Sequence, residues 1–268
     1  MTIHKGDLIM YKTLLFEQEG RIATLTLNRP DAMNAMDETM MEELAELLED
    51  LKENKSIQVL IIKGEGRAFS AGGDIKAMLN EENPLDIDAA MDYLTRIALN
   101  LYTLPQITIA SVHGAAAGLG FSVVLGCDII IAEENSKLAM NFIGIGLIPD
   151  GGGHFFLKER VGIPKSKQLM WSGQLFNGKE AQKLGLVDEV APDGAGHATA
   201  AAYAQKLIES PVAAMITSKE ILHLSKIHDL QAILKGESKG QSAMRKTADH
   251  KEGIQAFVEK RKPTFKGE

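Results

Sequence analysis

The 268-residue sequence predicts a layered α/β core followed by a helical C-terminal part. Three observations predict it. Short β-like apolar runs (ATLTL, QVLIIKG, ITIASV, DIIIA) recur along the first half of the chain. Glycine-rich loops lie at 64–74, 114–120 and 144–153, each after an apolar strand. From residue 164 onward the pattern is mostly helical, and the composition shifts near residue 195. Residues 1–195 are therefore read as the core and 196–268 as a helical C-terminal region. At 45% hydrophobic and 24% charged residues, a chain of this length buries a sizeable core without staples.

The elements follow in order. Residues 9–28 read as two strands around a turn at Glu19-Gly20, with threonine alternating against apolar residues. NRPDAMNAMD is rich in turn formers, and Asp37 is placed to cap the next helix. In that helix Met40, Met41, Leu44, Leu47, Leu48 and Leu51 recur at helical spacing. A buried strand is expected at 58–64, a glycine-rich loop to Lys76, and an amphipathic helix over 86–103. Residues 107–127 read as strand, glycine loop and core helix. DIIIA (128–132) and KLAM (137–140) read as strands, and a helix is expected to begin near Asp150. Beyond residue 164 only LVDEV (186–190) suggests a strand.

Bulk properties exclude several classes. A formal charge of -7 opposes nonspecific nucleic-acid binding. Cys127 is the single cysteine, so no internal disulfide is possible. MTIHKGDLIMYK has no apolar signal core, and the apolar stretch 107–127 is broken by Gly114, Gly118, Gly120 and Gly126. A cytoplasmic protein with neither a nucleic-acid nor a membrane partner is expected.

Glycine lets backbone N–H groups approach a ligand, and a loop entering a helix aims free N–H groups outward. Such a site suits a developing oxyanion. For any one loop, plain turn formation is the commoner reason. Sharper motifs fail. No glycine cluster satisfies GxGxxG after a strand. Gly173 to Lys179 begins like a phosphate loop, but Glu180 replaces the required Ser or Thr. Ser122 resembles an elbow nucleophile, but Val124 stands where a glycine is needed. His223 and His228 are five apart and do not share a helix face, so no metal site is expected. His113 and His154 read as structural.

Taken together, LNRPDAMNAM (27–36), AFSAGGDIK (68–76), SVHGAAAGLGFSVVLGCDIIIA (111–132), IGLIPDGGG (145–153) and FVEKRKPTF (257–265) resemble the crotonase (enoyl-CoA hydratase/isomerase) superfamily. The resemblance runs from about residue 11 to the C-terminus. It implies a spiral of ββα units and C-terminal helices that make a homotrimer or a dimer of trimers. It implies an acyl-CoA thioester as substrate, with coenzyme A as part of the substrate and no separate cofactor. The implied oxyanion hole is the N–H pair of Gly73 and Leu119, the second position being usually glycine. Ala35, Ala71, Asp74, Ile75 and Lys76 match positions that cradle coenzyme A. Lys260 matches the C-terminal helix position that reaches the nucleotide, with a solvated basic face as its plainer role.

The resemblance also bears on the reaction. Hydratases of this family use two glutamates. The matching positions here are Ser122 and Phe142, neither of which supplies a carboxylate. Asp150 is the one carboxylate in the right loop, and its IGLIPD context resembles the phenylacetate-pathway isomerases. Helix capping is its structural alternative. The expectation is a double-bond shift in an enoyl-CoA with Asp150 as base. The alternatives are a hydratase recruiting Glu81 or Glu82, and a noncatalytic acyl-CoA-binding protein.

Overall fold

The computed structural model describes residues 8–78 and 86–268. A seven-stranded sheet runs β1 (Leu8–Met10), β2 (Leu14–Glu19), β3 (Ile22–Leu27), β4 (Val59–Gly64), β5 (Ile107–Val112), β7 (Ile129–Glu133) and β9 (Glu189–Ala191), in that spatial order. The first two pairings are antiparallel and the remaining four parallel. A separate two-stranded parallel sheet joins β6 (Ala115–Ala117) to β8 (Lys137–Ala139). The expected KLAM strand thus pairs outside the main sheet. The LVDEV strand is displaced toward its C-terminus. Leu186 and Val187 are spent as buried core instead.

Alternation along β4 divides the core into two layers. Leu60 and Ile62 face the larger layer, with α1 (Glu38–Glu53), α3 (Ile87–Thr103) and α4 (Leu119–Leu125). Val59 and Ile61 face the opposite side with Ile109 and Ile131, covered by Ala200 and Ala204 of α7 (Gly196–Ile208). The period-two alternation of a strand produces this split. α7 begins where the composition shifts, yet it packs as the outer layer of the sheet.

Asp37 caps α1 as its sequence position predicts, accepting a 3.0 Å bond from the Met40 N–H. All six apolar residues anticipated on that helix are buried. Each such side chain contributes about 1.5–3 kcal/mol of transfer free energy. Beyond α7 come α8 (Val212–Leu224), α9 (Ile227–Met244) and α10 (Ala248–Val258). α8 is tied to the strands by Lys219, whose Nζ lies 2.6 Å from Asp128 Oδ2 and 2.7 Å from the Gln106 carbonyl. No helix among the described residues is long and apolar enough to cross a membrane.

The helix expected near Asp150 is α5 (Gly153–Ser172), broken at Gly162 just before Pro164. Its N-cap is Gly152, in a left-handed conformation, and not Asp150. The short α2 (Ile75–Met78) and α6 (Gly178–Lys183) complete the set. Asn177 and Glu180 form a reciprocal capping box on α6, so the phosphate-loop-like GQLFNGK is a helix start.

Candidate active site

The site is built where three loops are pinned side by side. Segment 70–74 is held on both flanks. On one side the Ser70 N–H donates to the Ala115 carbonyl (2.9 Å) and the Ala117 N–H to the Ser70 carbonyl (3.1 Å). On the other, the Met36 N–H donates to Gly72 (2.7 Å) and the Asp74 N–H to Met36 (3.0 Å). This parallel bridge of Met36 with Gly73 turns Gly73's own N–H away from Met36. Gly72 makes the approach possible. Its φ is +98°, and a Cβ there would lie 2.7 Å from the Ala117 carbonyl oxygen and 3.5 Å from the Leu119 nitrogen. The backbones at 72 and 117–119 are therefore in direct contact.

Gly118, with φ of 52°, turns the chain into α4, and Leu119 is that helix's first residue. A first-turn N–H has no acceptor within its own helix. Gly73 and Leu119 line one cavity of about 190 Å³, together with Asp150, Phe142 and Arg245. Ala71, Asp74 and Ile75 line it too. Ala35 is buried beneath, its carbonyl accepting from Arg29 Nη1. Arg29 also lies 3.1 Å from Asp37 and 3.1 Å from Asp74, two carboxylates that line the cavity. Lys76 and Lys260 are exposed and do not line the cavity within this chain.

Asp150 is 5% exposed and its Oδ1 has no hydrogen-bond partner. Oδ2 accepts a 2.9 Å bond from Gln241 Nε2. Burial pushes the Asp150 carboxyl up to about 8, Glu237 pushes the same way, and Arg245 opposes both. The physical cause is loss of water around the ionised form, with no cation paired to it.

The residues around Asp150 come from one stripe of α9. Glu237, Gln241 and Arg245 are spaced by four and share a face. Glu237, 2% exposed, accepts from the N–H groups of Gly152 (2.8 Å) and His154 (3.0 Å) and from His154 Nδ1 (2.8 Å). It thereby caps α5 from 85 residues away in sequence. Gln241 also donates a 2.6 Å bond to the Ile148 carbonyl. Sequence reading missed all three residues. The available signal was polar residues at four-residue spacing in an otherwise ordinary helix.

Leu119, where the family usually has glycine, leans on the PDGGG loop. A Cβ on Gly151 would lie 2.6 Å from Leu119 Cδ1, and one on Gly153 would lie 2.7 Å from Ser122 Oγ. Ser122 is fully buried, with its Oγ against Gly118 O and Met140 Sδ, and it does not line the cavity. Phe142 lines it with an apolar ring. His113 holds the Gly66 carbonyl at 2.9 Å, and His223 stacks on Tyr102 at 3.9 Å, both in structural roles. Glu81 and Glu82 lie outside the described residues.

Three pinned loops, Gly73 and Leu119 on one cavity and a buried carboxyl coincide with a match to the enoyl-CoA hydratase/isomerase family over residues 17–268. The chain belongs to this family. Its members fold as crotonases, and the chain is an enzyme of the crotonase type. It is 46% identical over 247 residues to "Putative enoyl-CoA hydratase/isomerase YhaR" of Bacillus subtilis, covering 92% of this chain and 96% of that protein. It is 32% identical over 265 residues to the 1,2-epoxyphenylacetyl-CoA isomerase of Escherichia coli, covering 96% of this chain and 100% of that one. An enoyl-CoA hydratase structure from Mycobacterium avium subsp. paratuberculosis superposes with a TM-score of 0.86 at 29% identity, covering 95% and 98% of the two chains. The names of these relatives divide between isomerase and hydratase, so the reaction has to be argued from this chain's own residues.

Proposed function

We propose that this crotonase shifts the double bond of an enoyl-CoA thioester, with Asp150 as the single acid–base group. The observation that carries the reading is the placement of Asp150: a buried carboxyl with one free oxygen, in the same cavity as Gly73 and Leu119. The thioester carbonyl accepts from the N–H groups of Gly73 and Leu119. As a base removes a proton from the carbon chain, charge moves onto that oxygen, and each donor there lowers the barrier by about 3 kcal/mol. Asp150 Oδ1 takes the proton, giving a dienolate and a neutral carboxyl. The same group returns the proton two carbons along, so no water enters and the carboxylate is regenerated. A carboxyl with raised proton affinity suits both halves of the cycle.

Several features support this assignment over two-glutamate hydration. Ser122 is packed away from the cavity and Phe142 cannot titrate. Asp150 is not spent as a helix cap, because Gly152 holds that position and Glu237 satisfies the amides. Coenzyme A is held at the Ala35, Ala71, Asp74, Ile75 and Lys76 segment, and Lys260 reaches a nucleotide across a trimer or hexamer interface made by the C-terminal helices. The chain works in the cytoplasm on this reading.

Incubation of purified protein with trans-2- and cis-3-enoyl-CoA thioesters of several lengths tests the proposal. The expected result is interconversion of the two positional isomers with no 3-hydroxyacyl-CoA. Accumulation of 3-hydroxyacyl-CoA as the main product would overturn it.

A further inference from the structure

Arg245 exchanges no proton in the shuttle, although its charge acts on Asp150, and it lines the same cavity. Its Nε is shielded from solvent and has no hydrogen-bond partner. Among the described residues no carboxylate oxygen comes within 4.0 Å of its nitrogens. Among the described residues the other charges that line or flank the cavity have partners. Asp37 and Asp74 share Arg29 at 3.1 Å each. Glu237 is taken by His154 and two backbone amides. Asp150 gives Oδ2 to Gln241 and lies beyond ion-pair distance of Arg245. His250, on the next helix, points its Nδ1 at the Ile145 carbonyl. Among the described residues the guanidinium thus feels the charge of Asp150 but makes no ion pair or side-chain hydrogen bond in a largely apolar chamber.

Leaving a charge desolvated and unpaired is costly, whereas a guanidinium facing a carboxylate makes two parallel charge-assisted bonds. Resting on the acyl-CoA reading above, we propose that Arg245 is an anion subsite for the acyl chain, and that the preferred thioester carries a second carboxylate at its far end. The side chain reaches the chamber from the C-terminal end of α9, one turn beyond Gln241, which bonds Asp150, and two beyond Glu237. The subsite is therefore held on a helix that the proton-transferring carboxyl also leans on.

Binding of saturated thioesters tests the subsite without requiring turnover. Titration calorimetry compares glutaryl-CoA with pentanoyl-CoA and adipyl-CoA with hexanoyl-CoA. Within each pair the coenzyme A is identical, so contacts to its phosphates cancel in the ratio. The wild-type protein is expected to favour one dicarboxylic thioester at least about tenfold over its partner. Arg245→Gln is expected to bring that ratio to near unity, with Arg245→Lys in between. A purely structural role weakens both thioesters together and leaves the ratio standing, which overturns the proposal. Equal wild-type affinity for both members of each pair also overturns it while leaving the acyl-CoA reading intact. Failure of all four thioesters to bind overturns both.

Discussion

Gln241 holds Asp150 with a 2.9 Å hydrogen bond, and the same amide nitrogen holds the Ile148 carbonyl at 2.6 Å. Both amide protons are thereby committed to the loop that carries the carboxyl. One side chain on α9 fixes the rotamer of Asp150 and the backbone two residues before it. Oδ1 is left without a partner, on a residue that lines the chamber together with Gly73 and Leu119. About two helical turns carry three tasks, from helix capping by Glu237 through the hold on Asp150 by Gln241 to the unpartnered Nε of Arg245.

Asp150→Asn removes the proton acceptor while keeping shape and the Gln241 contact. Isomerase kcat is expected to fall by about a thousandfold or more, since positioned acid–base groups supply 10²–10⁴. Affinity for a saturated acyl-CoA should stay within about threefold of wild type. Steady-state kinetics and titration calorimetry read the two quantities separately, and near-normal turnover refutes the role.

The pH profile should move in opposite directions for two neighbours. Asp150 must be ionised to act as base, so activity should rise with pH toward a limb near 8, where burial places its carboxyl. Glu237→Gln removes a charge that raises that value and should move the limb to lower pH. Gln241→Met removes the donor to Oδ2, which favours the ionised form, and should move it to higher pH. The kcat/KM profile between pH 5 and about 10 discriminates the pair. Movement in the same direction for both would contradict the electrostatic account.

Stability carries the same signature. The folded value of Asp150 lies above its ordinary 3.8, so the folded state binds this proton more tightly than the unfolded chain does. Its contribution is fully present below 3.8 and is lost as pH rises toward about 8. Asp150→Asn cannot ionise and escapes that loss. Thermal melts should show the variant gaining on wild type with rising pH, by about 4 °C or more at pH ~9. A constant difference in Tm from pH 5 to 9 would show that the group is not perturbed by burial.

Gly151 and Leu119 should behave as a coupled pair. Gly151 has φ of +60°, and an added Cβ would meet Leu119 Cδ1 at 2.6 Å. Gly151→Ala is expected to cost about 2–4 kcal/mol, from overpacking plus left-handed strain. Combining it with Leu119→Ala should recover about 1 kcal/mol or more, measured as non-additivity in a denaturant double-mutant cycle. Additive costs would mean that the clash is relieved elsewhere.

Glycine spacing and hydrophobic periodicity were enough to read the layered core, the cap at Asp37 and the three loops, because each follows from residues near one another in the chain. The buried face of α1 and the alternation of β4 are of this kind. Gly73, Leu119 and Asp150 could be singled out by resemblance to the family, and tertiary structure then placed them around one cavity. Three things needed the folded chain. The strand in LVDEV starts three residues later than expected, because Leu186 and Val187 are pulled into the core. Asp150 has the sequence position of a helix cap but is not one, because a glutamate from α9 reaches that helix end first. The polar stripe Glu237, Gln241 and Arg245 looks like an ordinary solvated face until α9 docks and removes its water. A sequence fixes which groups can ionise and which amides are free; the charge they carry and the oxygen they point at depend on burial and on partners about 90 residues away, which long-range packing alone decides.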